Sequence, residues 1–184
     1  MIPLMMNAER FTRKFSPISV STGALVLAAL LMTLFPTAAR GSNRQIYPDA
    51  SQAKADIAAA LKVAAQTHKR VILDFGGDWC GDCQVLDLYF HDEKNRPILD
   101  AGFVLVHVNI GKMDTNLDIA QKYQVPLERG VPALAVLSDK GVLLFSQKSG
   151  EFEAMRRMES SSVTNFLVRW KPATAGCSAV MVNC

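Results

Sequence analysis

The 184-residue sequence predicts an α/β fold, one domain with a central mixed β-sheet flanked by helices. Three observations carry that reading. Val71–Phe75 is an apolar run of strand length that passes through two glycines into Gln84–Phe90, where Val85, Leu86, Leu88 and Tyr89 recur at roughly helical spacing. Phe103–Ile110 is a second apolar run beyond a further helical turn, so a helical crossover joins the two strands and they pair in parallel. Ala133–Leu137 and Val142–Gln147 flank Asp139-Lys140-Gly141, whose glycine placement marks a hairpin and adds antiparallel pairing.

The elements follow in order. Arg10, Arg13 and Lys14 precede an apolar core, Gly23–Phe35, and the small residues Thr37-Ala38-Ala39, which together read as an export signal over residues 1–39. The core is shorter than the roughly 20 residues of a membrane span. Because everything from Phe15 to Ala39 is uncharged, an uncleaved N-terminal anchor is the alternative. Residues 40–50 read as a polar linker ending in Tyr47-Pro48-Asp49, and residues 51–171 as the folded domain. Ser51 is the expected N-cap of a helix through Gln66, with Ile57, Leu61 and Val63 on one side. A turn of helix from Pro97 to Gly102 precedes Phe103–Ile110, which is apolar enough to be expected at the centre of the sheet, buried on both faces. Asp114 or Thr115 is expected to cap a helix reaching about Tyr123, and the Gln124–Gly130 loop follows. Glu151–Arg157 is a charged helical turn, and an amphipathic helix, Ser161–Trp170, closes the domain. Residues 172–184 form a tail carrying Cys177 and Cys184, which an oxidising compartment would allow to close as a local disulfide.

The chemistry concentrates in Trp79-Cys80-Gly81-Asp82-Cys83, where a strand hands over to a helix. Cys80 falls at the helix N-terminus, where unpaired N–H groups and the macrodipole stabilise an anion. That makes it the more acidic and reactive thiol. Cys83, one turn inward, is spaced to attack a mixed disulfide formed at Cys80. The pair reads as a redox-active disulfide. Structural zinc, with Cys177 and Cys184 supplying the other ligands, is the competing reading; the spacing of that second pair and the lack of a His near either pair weigh against it. His68, His91 and His107 are scattered and read as helix-end, surface or strand residues.

Asp74-Phe75, the Trp79–Cys83 stretch, and Gly130-Val131-Pro132 ahead of Ala133–Leu137 together resemble the thioredoxin superfamily. The resemblance implies a thioredoxin fold over about residues 51–171. It implies that Asp74 lies buried beneath the active site and exchanges protons with Cys83. It further implies that Pro132 is a cis-proline facing the disulfide and that Val131 offers its backbone to the substrate chain. On the residues alone, a satisfied structural Asp and a trans proline opening a strand stay open as the plainer readings. Two features depart from the common pattern: Asp82 stands where Pro is usual before the second cysteine, and Pro126-Leu127-Glu128-Arg129 is an apparent insertion. The run through Phe90-His91-Asp92-Glu93-Lys94 to Pro97 is similar to the periplasmic reductase domain of transmembrane thiol-disulfide interchange proteins, which implies an exported, periplasmic subgroup.

The function expected is therefore an exported thiol-disulfide oxidoreductase that reduces or exchanges disulfides in protein substrates. Cys80, Cys83 and Asp74 would be catalytic, and Trp79, Gly81, Val131 and Pro132 would meet the substrate. No cofactor or metal is needed, since the two sulfurs carry both electrons. A membrane thiol-disulfide reductase is the electron donor the resemblance implies, and a monomer is expected. Asp78 and Asp82 place negative charge beside Cys80, which disfavours its thiolate and leans the pair toward reduction or isomerisation. The alternative is a thioredoxin-fold module that binds clients or metal without turnover. Nucleic-acid binding has no footing. The net charge of +3 rests on 20 basic and 17 acidic residues, and removing residues 1–39 takes Arg10, Arg13, Lys14 and Glu9, leaving +1 and no concentrated basic face.

Overall fold

The computed structural model describes residues 44–173. The export signal and the Cys177/Cys184 tail lie outside the described residues. A 3₁₀ turn, Ala50–Gln52, leads into helix α1, Ala53–Thr67. Strand β1, Arg70–Gly76, is followed by α2, Gly81–Phe90, then α3, Arg96–Gly102, and β2, Phe103–Asn109. Helix α4, Leu117–Lys122, precedes β3, Ala133–Leu137, β4, Leu143–Ser146, and α5, Ser161–Trp170.

The sheet order is β2-β1-β3-β4. β1 and β2 run parallel, with Asp74 beside His107, while β3 lies antiparallel to both β1 and β4. Strand alternation divides the core in two. Val71, Leu73 and Phe75 of β1 meet Ile57, Ala60 and Ala64 of α1 on one face. Ile72 meets Leu86 and Phe90 of α2 and Leu167 of α5 on the other. Asp74 shares the alternation of Ile72 and therefore faces the layer that holds the CxxC helix. Alternation puts His107 on that same face of β2.

Three local expectations change. Asp49, rather than Ser51, caps the first helical turn: its carboxylate accepts from the Ser51 amide at 2.8 Å, and the regular helix begins at Ala53. Neither Asp114 nor Thr115 caps α4; the preceding Asn116 sits in the left-handed region, and Asp114 closes its own turn with Lys112 and Thr115. The largest change concerns β2, expected at the sheet centre. It is an edge strand, with β1 as its only strand neighbour among the described residues, and Val104, Leu105, His107 and Asn109 are half-buried. Its apolar run reflects helices covering both faces, and face coverage says nothing about how many strands lie alongside.

Candidate active site

Cys80 and Cys83 are joined as a disulfide at the start of α2, with Cα atoms 5.2 Å apart. Cys80 is the N-cap: it keeps an extended backbone, and its sulfur accepts from the Cys83 amide at 3.1 Å. A thiolate formed there would receive that N–H and the positive end of the helix together. Cys83 is fully buried. The Val131–Pro132 bond is cis, and the Val131 carbonyl oxygen lies 3.6 Å from Cys80 Sγ. Buried Gln147 steadies this backbone from behind, donating to the Pro132 carbonyl and accepting from the Leu134 amide, each at 3.2 Å. The loop expected as an insertion contains a 3₁₀ turn, Leu127–Arg129, directly before Gly130.

The rim is fixed by contacts. Trp79 is partly exposed, its indole N–H donating to the Gly111 carbonyl and Lys112 standing over its ring. Gly81 opens the helix beside the Arg156 guanidinium. The two acids flanking the cysteines are engaged rather than free. Asp82 accepts from the Arg156 side chain at 2.9 and 3.1 Å and from its amide at 2.9 Å. Partial burial works against its charge, but the Arg156 hydrogen bonds outweigh it and hold the carboxyl below its ordinary range. Asp78 accepts from the Ile46 and Tyr47 amides at 2.9 and 3.0 Å. Both contacts draw negative charge away from Cys80, so the lean toward reduction that these acids suggested is weakened.

Behind the disulfide lies a buried polar chain. Asp74 is fully buried; its Oδ2 accepts from the Tyr47 hydroxyl at 2.7 Å and meets His107 Nδ1 at 2.9 Å, while Oδ1 has no partner. The other His107 nitrogen faces Asp87 Oδ1 at 3.5 Å. Asp87, on α2, is paired in turn with Arg44 and His91. Burial disfavours the imidazolium, but the hydrogen bond and charge of Asp74, with Asp87 and Asp78 behind, raise the His107 pKa above its ordinary value. Burial, then the Asp74 charge, pushes the Tyr47 phenol well up, so it stays a hydroxyl.

Sequence reasoning singled out Asp74 and missed its partners. Tyr47 stood in the stretch read as linker, yet residues 44–49 fold onto the site and Tyr47 is buried with Cys80 and Cys83. His107 was read as a strand residue, although a lone ionisable group in an apolar strand, in register with the lone acid of β1, was a usable signal. The zinc reading needed Cys177 and Cys184, which lie outside the described residues; no group of three or more His, Cys, Asp or Glu placed to hold a metal occurs among the described ones.

Residues 52–138 match a family model described as thioredoxin-like. The fold is similar to the crystal structure of a disulphide isomerase from Xylella fastidiosa Temecula1, at 30% identity and a TM-score of 0.66, covering 70% of this chain and 98% of that one. Thioredoxin-3 of Dictyostelium discoideum is 34% identical over 59 residues, 32% of this chain and 54% of the relative, so the chain spans about half the length of that protein. A disulfide-forming CxxC pair in this fold supports a thiol-disulfide oxidoreductase in general. By sequence and by fold, the chain belongs to the thioredoxin superfamily.

Proposed function

We propose that the chain is an exported thiol-disulfide oxidoreductase that reduces or exchanges disulfides in protein substrates, with Cys80 as attacking thiolate and Cys83 as resolving thiol. The observation that carries it is the cysteine pair itself: one sulfur caps a helix beside a cis-proline, and the other is fully buried one turn inward. The Cys80 thiolate attacks one sulfur of a substrate disulfide, forming a mixed disulfide and releasing the other substrate sulfur. Cys83 gives up its proton and attacks Cys80 Sγ, closing the Cys80–Cys83 bond as the second substrate thiolate leaves. The substrate gains two electrons and the dithiol loses two. The substrate strand would lie extended against Val131, with Trp79 and Gly81 on the rim. The similarity to the Xylella fastidiosa disulphide isomerase supports exchange among protein disulfides as the client chemistry.

Export is supported by the charged, apolar and small-residue order of residues 1–39, and a membrane thiol reductase would then return electrons to the pair. Among the described residues no helix is long and apolar enough to cross a membrane. Titration of the pair in glutathione buffers tests the reading. A reversible couple between about −270 mV and about −120 mV places it on the reductase-to-oxidant scale, the lower end favouring reduction. The absence of any reversible couple would favour a binding module without turnover.

A further inference from the structure

This inference rests on the oxidoreductase reading and concerns how the buried cysteine loses its proton. The resolving step needs Cys83 as a thiolate in a site from which water is excluded, where burial raises a thiol's pKa. An ideal Cβ placed on Gly76 would lie 2.4 Å from the Tyr47 oxygen and 2.7 Å from Cys83 Sγ, so hydroxyl and sulfur adjoin the same point on β1. Tyr47 belongs to the same buried cluster as the two cysteines. Its hydroxyl donates to Asp74 Oδ2, which also meets His107 Nδ1. His107 Nε2 in turn faces Asp87, which reaches Arg44 and His91, both about half-exposed. The Tyr47 hydroxyl and the inner sulfur thus flank Gly76, and from the hydroxyl a chain of polar groups drawn from four elements leads toward solvent.

We propose that Tyr47 relays the proton between Cys83 and Asp74, and that His107 with Asp87 links Asp74 to the surface. In the resolving direction the Cys83 S–H proton moves to the Tyr47 oxygen as the Tyr47 proton moves to Asp74 Oδ2. The phenol is neutral before and after, and Asp74 ends protonated. The thiolate so formed breaks the Cys80–substrate bond and closes the intramolecular disulfide, with the electron pair leaving on the substrate sulfur. Asp74 then passes its proton along His107 and Asp87. Tyr47 would be the proton carrier next to the reacting sulfur, and His107 a positioning residue acting through Asp74. The charged or titratable groups facing this path are Asp74 of β1, Asp78 after it, Asp87 of α2, His91 at that helix's C-terminal cap, Arg44, and Asp56 of α1, which shares a surface groove with His107.

The test reacts the reduced protein with an aromatic disulfide that releases a coloured thiolate at each step. The first phase reads attack by Cys80 and the second reads resolution by Cys83. Tyr47→Phe is expected to leave the first phase unchanged, slow the second about 10-fold or more at neutral pH, and make it climb with pH as Cys83 ionises unaided. His107→Gln is expected to slow the second phase less and shift its pH midpoint. Folded Tyr47→Phe protein with both phases and the pH profile of wild type overturns the proposal. If Asp74→Asn slows the second phase and Tyr47→Phe does not, Asp74 acts directly: the relay fails while the oxidoreductase reading stands. Absence of a second phase in wild type defeats that reading itself. Should Tyr47→Phe not fold, a proton inventory of the wild-type second phase in H₂O–D₂O mixtures decides: a curved plot means two protons in flight and supports the relay, while a linear or flat one overturns it.

Discussion

The two sulfurs of one disulfide face different surroundings. On the Cys80 side the contacts are made at the rim, by Trp79 under Lys112 and by Asp82 with an Arg156 whose side chain is 67% exposed. On the Cys83 side the contacts are shut away from water, and Asp74, Tyr47 and Asp87 are each at most 3% exposed. The same kinds of groups do different things in the two places. At the rim, solvent screens a charge and an ion pair adds little, so these side chains shape the surface more than they stabilise it. In the interior, a charge is tolerated only with partners, and each partner then shifts the others' protonation. Under the proposed function, the first sulfur would meet the substrate and the second would depend on proton movement.

Filling the interior should have the largest effect. Gly76→Ala would drive a methyl into the Tyr47 hydroxyl and Cys83 Sγ, at 2.4 and 2.7 Å. A loss of about 1–3 kcal/mol in urea unfolding is expected, with slowed resolution by Cys83. A variant as stable and as fast as wild type would mean the inner side is not tightly packed.

Changing the pH should act next, and on the inner side. The His107 pKa is raised in the folded state, so its contribution is complete below its ordinary value of about 6.5 and is lost as pH rises through the folded value. The oxidised protein, whose cysteines do not titrate, should therefore lose stability as pH climbs above about 6.5. His107→Gln should flatten that slope, and a slope that persists would assign it elsewhere.

The smallest effect is expected at the rim. The folded pKa of Asp82 is lowered, so its contribution is present above its ordinary value of 3.8 and is lost as pH falls through the folded value. Arg156→Ala should remove this acid-side loss and lower the melting temperature only slightly, less so in high salt. An effect as large as that of Gly76→Ala would erase the contrast between the two sides.

Much of this was legible because it is local. β1, the CxxC helix and the hairpin are written in short runs of apolar spacing and turn residues, and α5 spans the predicted Ser161–Trp170. The residues that escaped are those whose meaning depends on distant chain. Tyr47 lies 27 residues from Asp74 in sequence, and His107 lies 33 from it. Nothing near Tyr47 announces the pairing, and the signal at His107 becomes readable only once β1 and β2 are set in register. Gln147 was equally silent, since its side-chain amide serves the Pro132 carbonyl and the Leu134 amide, 15 and 13 residues away in sequence. The edge position of β2 could not be read because hydrophobicity reports what lies above and below a strand.

The stretch ahead of the first helix gives the working unit a different outline from the domain. The thioredoxin-like match begins at residue 52, after Tyr47, and Arg44, Ile46 and Tyr47 are held to the CxxC helix and its approach by Asp87 and Asp78. Tyr47 packs with Cys80 and Cys83 and hydrogen-bonds Asp74, so this stretch covers the inner side of the site although it lies outside the matched region. Loss of residues 44–49 is therefore expected to act on the buried side of the site before it acts on the sheet.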